Sequence, residues 1–284
     1  MEPIHATFDR LRRAQRKALI PFFMGGDPDG ATTASLLLRF EDAGADLIEV
    51  GIPFSDPLAD GPVIQAASAR ALAHGATPER VLAAIASVRH RLQAPVICLS
   101  YWNPLLQFGR RPFGQWTCGQ RAASIHPDPT PFVRAAQAGG VAGVIVPDLP
   151  LEESAVLRRS TRRAGPATIL LAAPTSPLER LRAIARASEG FIYYVSVIGT
   201  TGIRKRLPDG LVEGVQRLKR LTTTPVCVGF GISTPAQAAQ VAATAADGVI
   251  VGSALVHVLS NGKNRAASVR QAERLITRLR RAIS

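Results

Sequence analysis

Short apolar runs alternate with segments of helical periodicity along almost the whole chain. The runs cover residues 18–24, 47–50, 95–100, 143–146, 168–172, 191–196, 225–229 and 248–251. Repeated strand–helix units of this kind predict a parallel sheet. Eight units in 284 residues fit a closed barrel of roughly 250 residues better than an open sheet, and no G-x-G-x-x-G motif follows the first run. We therefore predict an α/β fold, the (βα)8 TIM barrel.

Segments with helical periodicity fill the space between the strands, apart from one long interruption. They cover residues 3–15, 32–43, 63–74, 78–92, 130–138, 151–164, 177–187, 211–221 and 234–245, with further helices after residue 251. The barrel thus carries extra N-terminal and additional helices, and helix 3–15 is expected to cap its floor. The pattern breaks down between Tyr101 and Pro131. We predict a single domain, residues 1–284, with a surface excursion at about 110–128.

Hydropathy and cysteine usage predict a globular protein of the cytoplasm. Hydrophobic residues make up 46% of the chain, yet no apolar run approaches the roughly 18 residues that a membrane span requires. The three cysteines, Cys98, Cys118 and Cys227, are odd in number and lack C-x-x-C spacing. Neither a disulfide framework nor a zinc site is supported. We expect no membrane contact and no metal.

The chain is strongly basic, with a formal net charge of +13. Arginine dominates the excess and is concentrated in residues 10–17, residues 158–163 and the last helix. Such a balance can attract anionic substrates or nucleic acid. However, no nucleic-acid motif or interleaved aromatic residue accompanies the arginines, so solvated helix faces are favoured and no nucleic-acid partner is expected.

The stretch 47–62, LIEVGIPFSDPLADGP, is the first candidate for chemistry. Glu49 falls at the carboxyl end of a predicted strand, where barrels place working groups, and Asp56 and Asp60 follow on the loop. A carboxyl group buried there has a raised pKa and is suited to general acid/base catalysis. The alternative is that Glu49 pairs with a basic group and that the two aspartates only make turns.

Two glycine-rich loops near the end of the chain form a candidate phosphate site. GFGIS at 229–233 follows the seventh strand, and VGSAL at 251–255 follows the eighth at a helix start. Barrels often bind phosphate there, because glycines allow close approach and a helix N-terminus favours an anion. Gly202 in the preceding loop offers a further N–H donor. The alternative is that these glycines only allow tight turns.

Four motifs of the sequence together resemble those of a known family. EVGIPFSDPLADGPVIQ, YYVSVIGTTG, GFGIS and VGSA, in this order and spacing, are similar to the α subunit of tryptophan synthase. The resemblance implies retro-aldol cleavage of indole-3-glycerol phosphate to indole and glyceraldehyde 3-phosphate, with no cofactor in this chain. It also implies an α2β2 complex with a β subunit that carries pyridoxal phosphate and receives the indole.

The resemblance assigns roles to individual residues. Glu49 resembles the general acid/base, Asp60 the group that holds the indole N–H, Tyr193 a tyrosine close to that glutamate, and Thr201 the loop threonine that closes over the substrate. The remaining matches are substrate-binding Phe22, Tyr101 and Phe230, phosphate-binding Gly202, Gly231, Gly252 and Ser253, and Asp56 and Pro57 at the partner interface. For the three aromatic residues, a plain core role is the alternative.

Two features depart from the family pattern. The excursion at about 110–128 is longer than the family's usual link between the third strand and the next helix, and the basic charge is unexpected. Other hypotheses therefore stay open. One is a stand-alone lyase that releases indole without a β subunit, and another is an inactive barrel that acts as a regulatory scaffold or as a nucleic-acid-binding protein.

Overall fold

The fold was analysed in a computed structural model that describes residues 2–109, 127–195, 210–229, 231–261 and 264–284. Its strands are β1 (Ala18–Met24), β2 (Ile48–Gly51), β3 (Val96–Leu99), β4 (Val141–Ile145), β5 (Ala167–Ala172), β6 (Ile192–Val195), β7 (Val226–Gly229) and β8 (Gly248–Val251). Each strand pairs in parallel with the next, and β8 pairs with β1. The predicted TIM barrel is confirmed.

Helices surround the barrel. They are α1 (Glu2–Arg13), α2 (Gly30–Asp42), α3 (Pro62–Ala73), α4 (Pro78–Val88), α5 (Trp102–Gln107), α6 (Thr130–Ala138), α7 (Ala155–Ala164), α8 (Leu178–Ala187), α9 (Leu211–Lys219), α10 (Pro235–Ala242), α11 (Ser253–Ser260) and α12 (Arg265–Ala282). In the part of the chain that the structure describes, no helix is both long enough and apolar enough to cross a membrane.

The structure differs most from the predicted helices at three places. The segment after Tyr101 was predicted to lack regular structure, but α5 begins at Trp102. The predicted helix 151–164 begins only at Ala155, because Ser154 folds back on Leu151 through its backbone N–H and its hydroxyl, which donate to the Leu151 carbonyl at 3.2 and 2.7 Å. The predicted helix 78–92 ends at Val88, after which the chain turns.

Strand residues alternate between the barrel interior and the outer core. On β2, Ile48 and Val50 belong to the large core between strands and helices, whereas the preceding Leu47 packs inside the barrel with Ile97 and Ile169. This period of two is the strand geometry expected for a closed sheet. It makes Glu49, between Ile48 and Val50, point into the barrel.

The floor of the barrel is closed as the sequence predicts. Residues Ile4, Phe8 and Leu11 of α1 are buried within the same interior cluster as the lower strand residues. Two of the cysteines, Cys98 and Cys227, are buried free thiols in β3 and β7. The arrangement leaves the carboxyl ends of the strands and the loops that follow them as the open face of the barrel.

Candidate active site

Glu49 is a buried acid at the mouth of the barrel. It lies next to Phe22 of β1 and Ile97 of β3 in the sheet register. Its side chain is only 1% exposed, and its Oε2 has no hydrogen-bond partner among the residues that the structure describes. Burial, followed by the negative charge of Asp60, raises the pKa of Glu49 to about 8. The group therefore holds a proton at neutral pH.

Asp60 is the second buried acid, at the end of the loop between β2 and α3. Burial raises its pKa to about 6, and a hydrogen bond from Tyr101 opposes this rise. The Tyr101 hydroxyl donates to Oδ2 of Asp60 at 3.1 Å. Asp60 is thus mostly ionised at neutral pH while Glu49 is mostly protonated. The two acids are suited to different tasks because their environments separate their pKa values.

The loop that carries Asp60 is fastened to helix α3. The backbone N–H of Asp60 donates to the Pro57 carbonyl at 3.0 Å, and Gln65 Nε2 donates to the Asp60 carbonyl at 2.8 Å. Ser68 accepts a hydrogen bond from the Phe54 N–H and donates one to its carbonyl, both at 2.8 Å. These bonds fix the backbone on both sides of residues 55–58, of which Ser55, Asp56 and Leu58 are exposed.

Tyr193 lies inside the barrel on β6, close to both acids. Burial, and then the charges of Glu49 and Asp60, raise the pKa of Tyr193 well above its ordinary value. Its ring occupies the space above Gly229 of β7, where an added Cβ would lie 2.4 Å from the tyrosine hydroxyl oxygen. Glycine at 229 therefore allows the ring to reach the acids.

Phe22 connects the acid side of the barrel mouth with the glycine loops. A Cβ added at Gly51 would lie 2.8 Å from Phe22 Cζ, and one added at Gly252 would lie 3.4 Å from Phe22 Cδ1. The ring therefore lies between the ends of β2 and β8, and Tyr101 is buried at the end of β3. Phe22 thus neighbours Glu49 in the sheet register, and Tyr101 is hydrogen-bonded to Asp60.

Three of the predicted phosphate residues, Gly231, Gly252 and Ser253, lie on neighbouring loops. Because β7 pairs with β8, the loops that follow them are adjacent. Gly231 adopts a φ of +77°, a left-handed conformation that favours glycine. Gly252 directly precedes α11, which begins at Ser253. The positive end of this helix faces the open side of the barrel, as an anion site requires.

Several predicted positions lie outside the described residues. They are Thr201, Gly202 and Phe230, together with most of the excursion, residues 110–126. Asp56 and Pro57 are described and lie on the outer turn of the β2–α3 loop, where Asp56 is exposed and the neighbouring Leu58 is 83% exposed. No cluster of histidine, cysteine or acidic side chains suited to a metal ion occurs within the described ranges.

Comparison with known proteins identifies the family. The sequence profile described as "Tryptophan synthase alpha chain" matches residues 8–284. The chain belongs to the tryptophan synthase alpha chain family. This family is one of enzyme subunits.

Individual relatives of the family agree closely with this chain. The tryptophan synthase alpha chain of Prochlorococcus marinus (strain MIT 9313) is 50% identical over 253 residues, which cover 89% of this chain and 85% of that one. The alpha chain of Geotalea daltonii is 46% identical over 256 residues and covers 90% and 89%. The relatives therefore span nearly the whole barrel.

Solved structures of the family share the fold. The crystal structure of the alpha subunit from Legionella pneumophila str. Paris has a TM-score of 0.84 at 34% identity and covers 99% of this chain and 98% of that chain. A chain in the structure of Mycobacterium tuberculosis tryptophan synthase also gives 0.84 at 34% identity, with 99% and 97% coverage.

The sequence analysis missed three polar residues that bond the loops at the barrel mouth. Gln65, Ser68 and Asp148 were not singled out, although each makes a polar contact that orders the barrel mouth. Asp148 carried a detectable signal, since it stands in the loop PDLP directly after a strand. Tyr101 was predicted only as an aromatic contact. Its hydroxyl forms hydrogen bonds with the loop between β2 and α3, which belongs to a different strand–helix unit.

Proposed function

We propose that this chain catalyses the retro-aldol cleavage of indole-3-glycerol phosphate to indole and glyceraldehyde 3-phosphate, a carbon–carbon lyase reaction. The observation that carries the proposal is the state of Glu49, a buried acid with an unpartnered oxygen and a pKa raised to about 8. Such a group can deliver a proton at neutral pH, and an ionised acid, Asp60, lies in the same barrel mouth.

The reaction needs one proton delivered and one removed. Glu49 donates a proton to the indole carbon that carries the side chain, which makes the ring an electron sink. Asp60 accepts a hydrogen bond from the ring N–H and stabilises the positive charge that develops there. The carbon–carbon bond then breaks as the neighbouring side-chain hydroxyl loses its proton and becomes the aldehyde. The ionised Glu49 is available to take that proton, so no cofactor in this chain is needed.

The other assigned residues bind and orient the substrate. Phe22, Tyr101 and Phe230 contact the indole, and Gly202, Gly231, Gly252 and Ser253 hold the phosphate. The buried ring of Tyr193 supports this arrangement, because its neutral hydroxyl lies near both acids and adds no competing charge. Thr201 closes over the bound substrate and meets Asp60, and closure excludes water from the acids.

The chain works with a second subunit. We propose an α2β2 complex in which a β subunit, carrying pyridoxal phosphate, takes the indole. The outer turn of the β2–α3 loop supports a partner contact, because Asp56 and Leu58 are exposed while the loop's backbone is fastened to α3 on either side. A bound partner at Pro57 would thus press directly on the loop that holds Asp60.

The predictions of domain organisation and location are kept as part of the proposal. We retain one domain for residues 1–284, with residues 110–128 as a surface excursion, and a cytoplasmic location. The stand-alone lyase and the inactive scaffold are not favoured, because the relatives bear the alpha chain name and this chain keeps both acids.

The test is cleavage of indole-3-glycerol phosphate by the purified full-length chain, with indole and glyceraldehyde 3-phosphate both measured. Equal amounts of the two products are expected, and an added β subunit should raise the rate. Asp60→Asn should lower kcat/KM by about 10²-fold or more, whereas Asn in place of Asp42, an exposed acid at the end of α2, should not (Asp42→Asn). Absence of both products with and without the β subunit would contradict the proposed reaction.

A further inference from the structure

A third acid at the barrel mouth, Asp148, acts on the backbone of a neighbouring loop. It lies in the loop between β4 and α7. Its two carboxylate oxygens accept hydrogen bonds from the backbone N–H of Trp102, at 2.9 and 3.2 Å. Trp102 is the first residue of α5, so its N–H has no partner within the helix. The carboxylate therefore fixes the chain where β3 passes into α5.

Tyr101, directly before Trp102, joins this point to the loop that carries Asp60. Its hydroxyl accepts a hydrogen bond from the Ala59 N–H at 3.0 Å and donates one to Asp60 Oδ2 at 3.1 Å. Its ring is buried and packs against Phe54, with the ring centroids 5.4 Å apart. The ring and hydroxyl of Tyr101 thus hold the loop between β2 and α3. Its backbone directly precedes the Trp102 N–H, which donates to Asp148.

We propose that Asp148 is a positioning residue for Asp60, and that it acts through the backbone N–H of Trp102 and the hydroxyl of Tyr101. The contacts cross three consecutive loops, after β4, β3 and β2. Loss of the Asp148 carboxylate releases the start of α5, and the Tyr101 hydroxyl then no longer reaches Asp60 in one fixed geometry. The consequence for catalysis rests on the function proposed above, whereas the effect on Asp60 itself does not.

The direction of the pKa change at Asp60 distinguishes a positioning role of Asp148 from a direct effect of its negative charge. Among the described residues, Asp60 accepts a hydrogen bond from Tyr101 after β3, and its negative charge raises the pKa values of Tyr101, of Glu49 on β2 and of Tyr193 on β6. A hydrogen bond from Tyr101 favours the charged carboxylate, so its loss raises the pKa of Asp60. Removal of the negative charge of Asp148 alone would act in the opposite direction and lower the pKa of Asp60.

The test is the pKa of the Asp60 carboxyl group, followed by NMR of protein labelled with ¹³C at the aspartate side-chain carboxyls and assigned with Asp60→Asn. Tyr101→Phe should raise this pKa by about 1, the worth of one hydrogen bond to a charged group. Asp148→Ala should raise it in the same direction. Asp148→Asn keeps an acceptor for the Trp102 N–H and should leave the pKa close to that of the wild type or below it.

A double variant tests the route of the effect. In the Tyr101→Phe background, Asp148→Ala should produce no further rise, because the hydroxyl through which Asp148 acts is already absent. An equal rise in both backgrounds would overturn the route through Tyr101. A fall in the pKa of Asp60 in Asp148→Ala, or no change, would overturn the proposal as a whole.

Kinetics then connect the positioning to the reaction. In Asp148→Ala, the acid limb of the kcat/KM profile for indole-3-glycerol phosphate should move to higher pH, with kcat lowered about 5-fold, while Asp148→Asn restores both. An unshifted acid limb in an active enzyme would overturn the positioning role and leave the proposed function standing. A wild-type chain without cleavage activity would contradict the proposed function, and the NMR measurement would still decide the role of Asp148.

Discussion

The hydroxyl of Ser68 on α3 bonds both backbone groups of Phe54, accepting from its N–H and donating to its carbonyl at 2.8 Å each. Ser68 is 1% exposed. A single buried hydroxyl thus holds the loop between β2 and α3 six residues before Asp60. These two bonds connect α3 to the loop that carries the second acid.

Ser68→Ala removes the partner of two backbone groups at once. The free energy of unfolding is expected to fall by about 1–3 kcal/mol, and kcat/KM for cleavage should fall because Asp60 loses its fixed position. Ser268→Ala is the matched control, since Ser268 is similarly buried but its hydroxyl donates to the carbonyl of Asn264, the residue that caps its own helix, α12. Equal kcat/KM values for the two variants would show that the Ser68 bond does not position the acid.

Gly229→Ala tests the close approach of Tyr193. The added methyl group would lie 2.4 Å from the tyrosine hydroxyl oxygen and within 2.6 Å of two ring atoms, so the ring must move away from β7. We expect a loss of stability of about 1–3 kcal/mol and a lower cleavage rate. In the control Gly30→Ala, the new methyl group meets its nearest neighbour at an ordinary 3.6 Å. Full activity in Gly229→Ala would mean that the reaction tolerates displacement of the tyrosine.

Glu49 makes stability depend on pH in a definite direction. Its pKa is raised from an ordinary 4.5 to about 8 in the folded chain. Between these values the folded state binds the proton more tightly than the unfolded state, so the free energy of unfolding falls as pH rises. The contribution is fully present below the unfolded pKa and is lost as pH rises through the folded one. Glu49→Gln removes this dependence.

Urea unfolding at a series of pH values measures the effect. The stability of Glu49→Gln relative to the wild type should increase steadily from about pH 5 to about pH 9. The exposed Asp42→Asn variant should show no such trend relative to the wild type. A constant difference between Glu49→Gln and the wild type across this range would mean that the carboxyl group is not held protonated by burial.

Arg280 and Asp46 form a buried ion pair far from the barrel mouth. Arg280 Nη1 lies 2.6 Å from Asp46 Oδ2, and it also donates to the Lys17 carbonyl at 2.9 Å. The pair fastens α12 to the chain just before β1 and β2. Arg280→Ala should lower the free energy of unfolding by about 3–5 kcal/mol, because it leaves Asp46 buried and without its cation.

The neighbouring residue provides the control for this pair. Arg281 is exposed on the same helix, and Arg281→Ala should change the free energy of unfolding by only about 0.5 kcal/mol or less. At temperatures where Arg280→Ala remains folded, its KM for indole-3-glycerol phosphate should equal that of the wild type. A raised KM would indicate that the barrel floor is coupled to the substrate site.

Local signals in the sequence were sufficient for most of the barrel. Strands 18–24 and 248–251 and helix 130–138 were predicted to the residue, because hydrophobic runs and periodicity change abruptly at their ends. The cap at Thr77, which accepts from the Arg80 N–H at 3.3 Å, was also readable from the Thr-Pro pair. Sequence periodicity thus identifies elements whose ends are set by their own residues.

Elements whose ends depend on other loops were not predictable in this way. Helix α5 is only six residues long, and its first N–H is bound by Asp148 from the next loop rather than by a capping residue of its own. Likewise the hydroxyl of Tyr101 acquires its partners, Ala59 and Asp60, because the loop between β2 and α3 lies beside it. Glu49 stood out because an acid within a buried strand has a high desolvation cost.

The role of Glu49 as proton donor is tested by kcat for cleavage of indole-3-glycerol phosphate by Glu49→Gln, measured beside the binding of glyceraldehyde 3-phosphate to the same variant. Glutamine keeps the size of the side chain but carries no transferable proton. We predict a loss in kcat of about 10²- to 10⁴-fold, the usual worth of a general acid/base, with unchanged binding of the phosphate compound. A kcat within about 3-fold of the wild type would contradict the assignment of Glu49 as the proton donor.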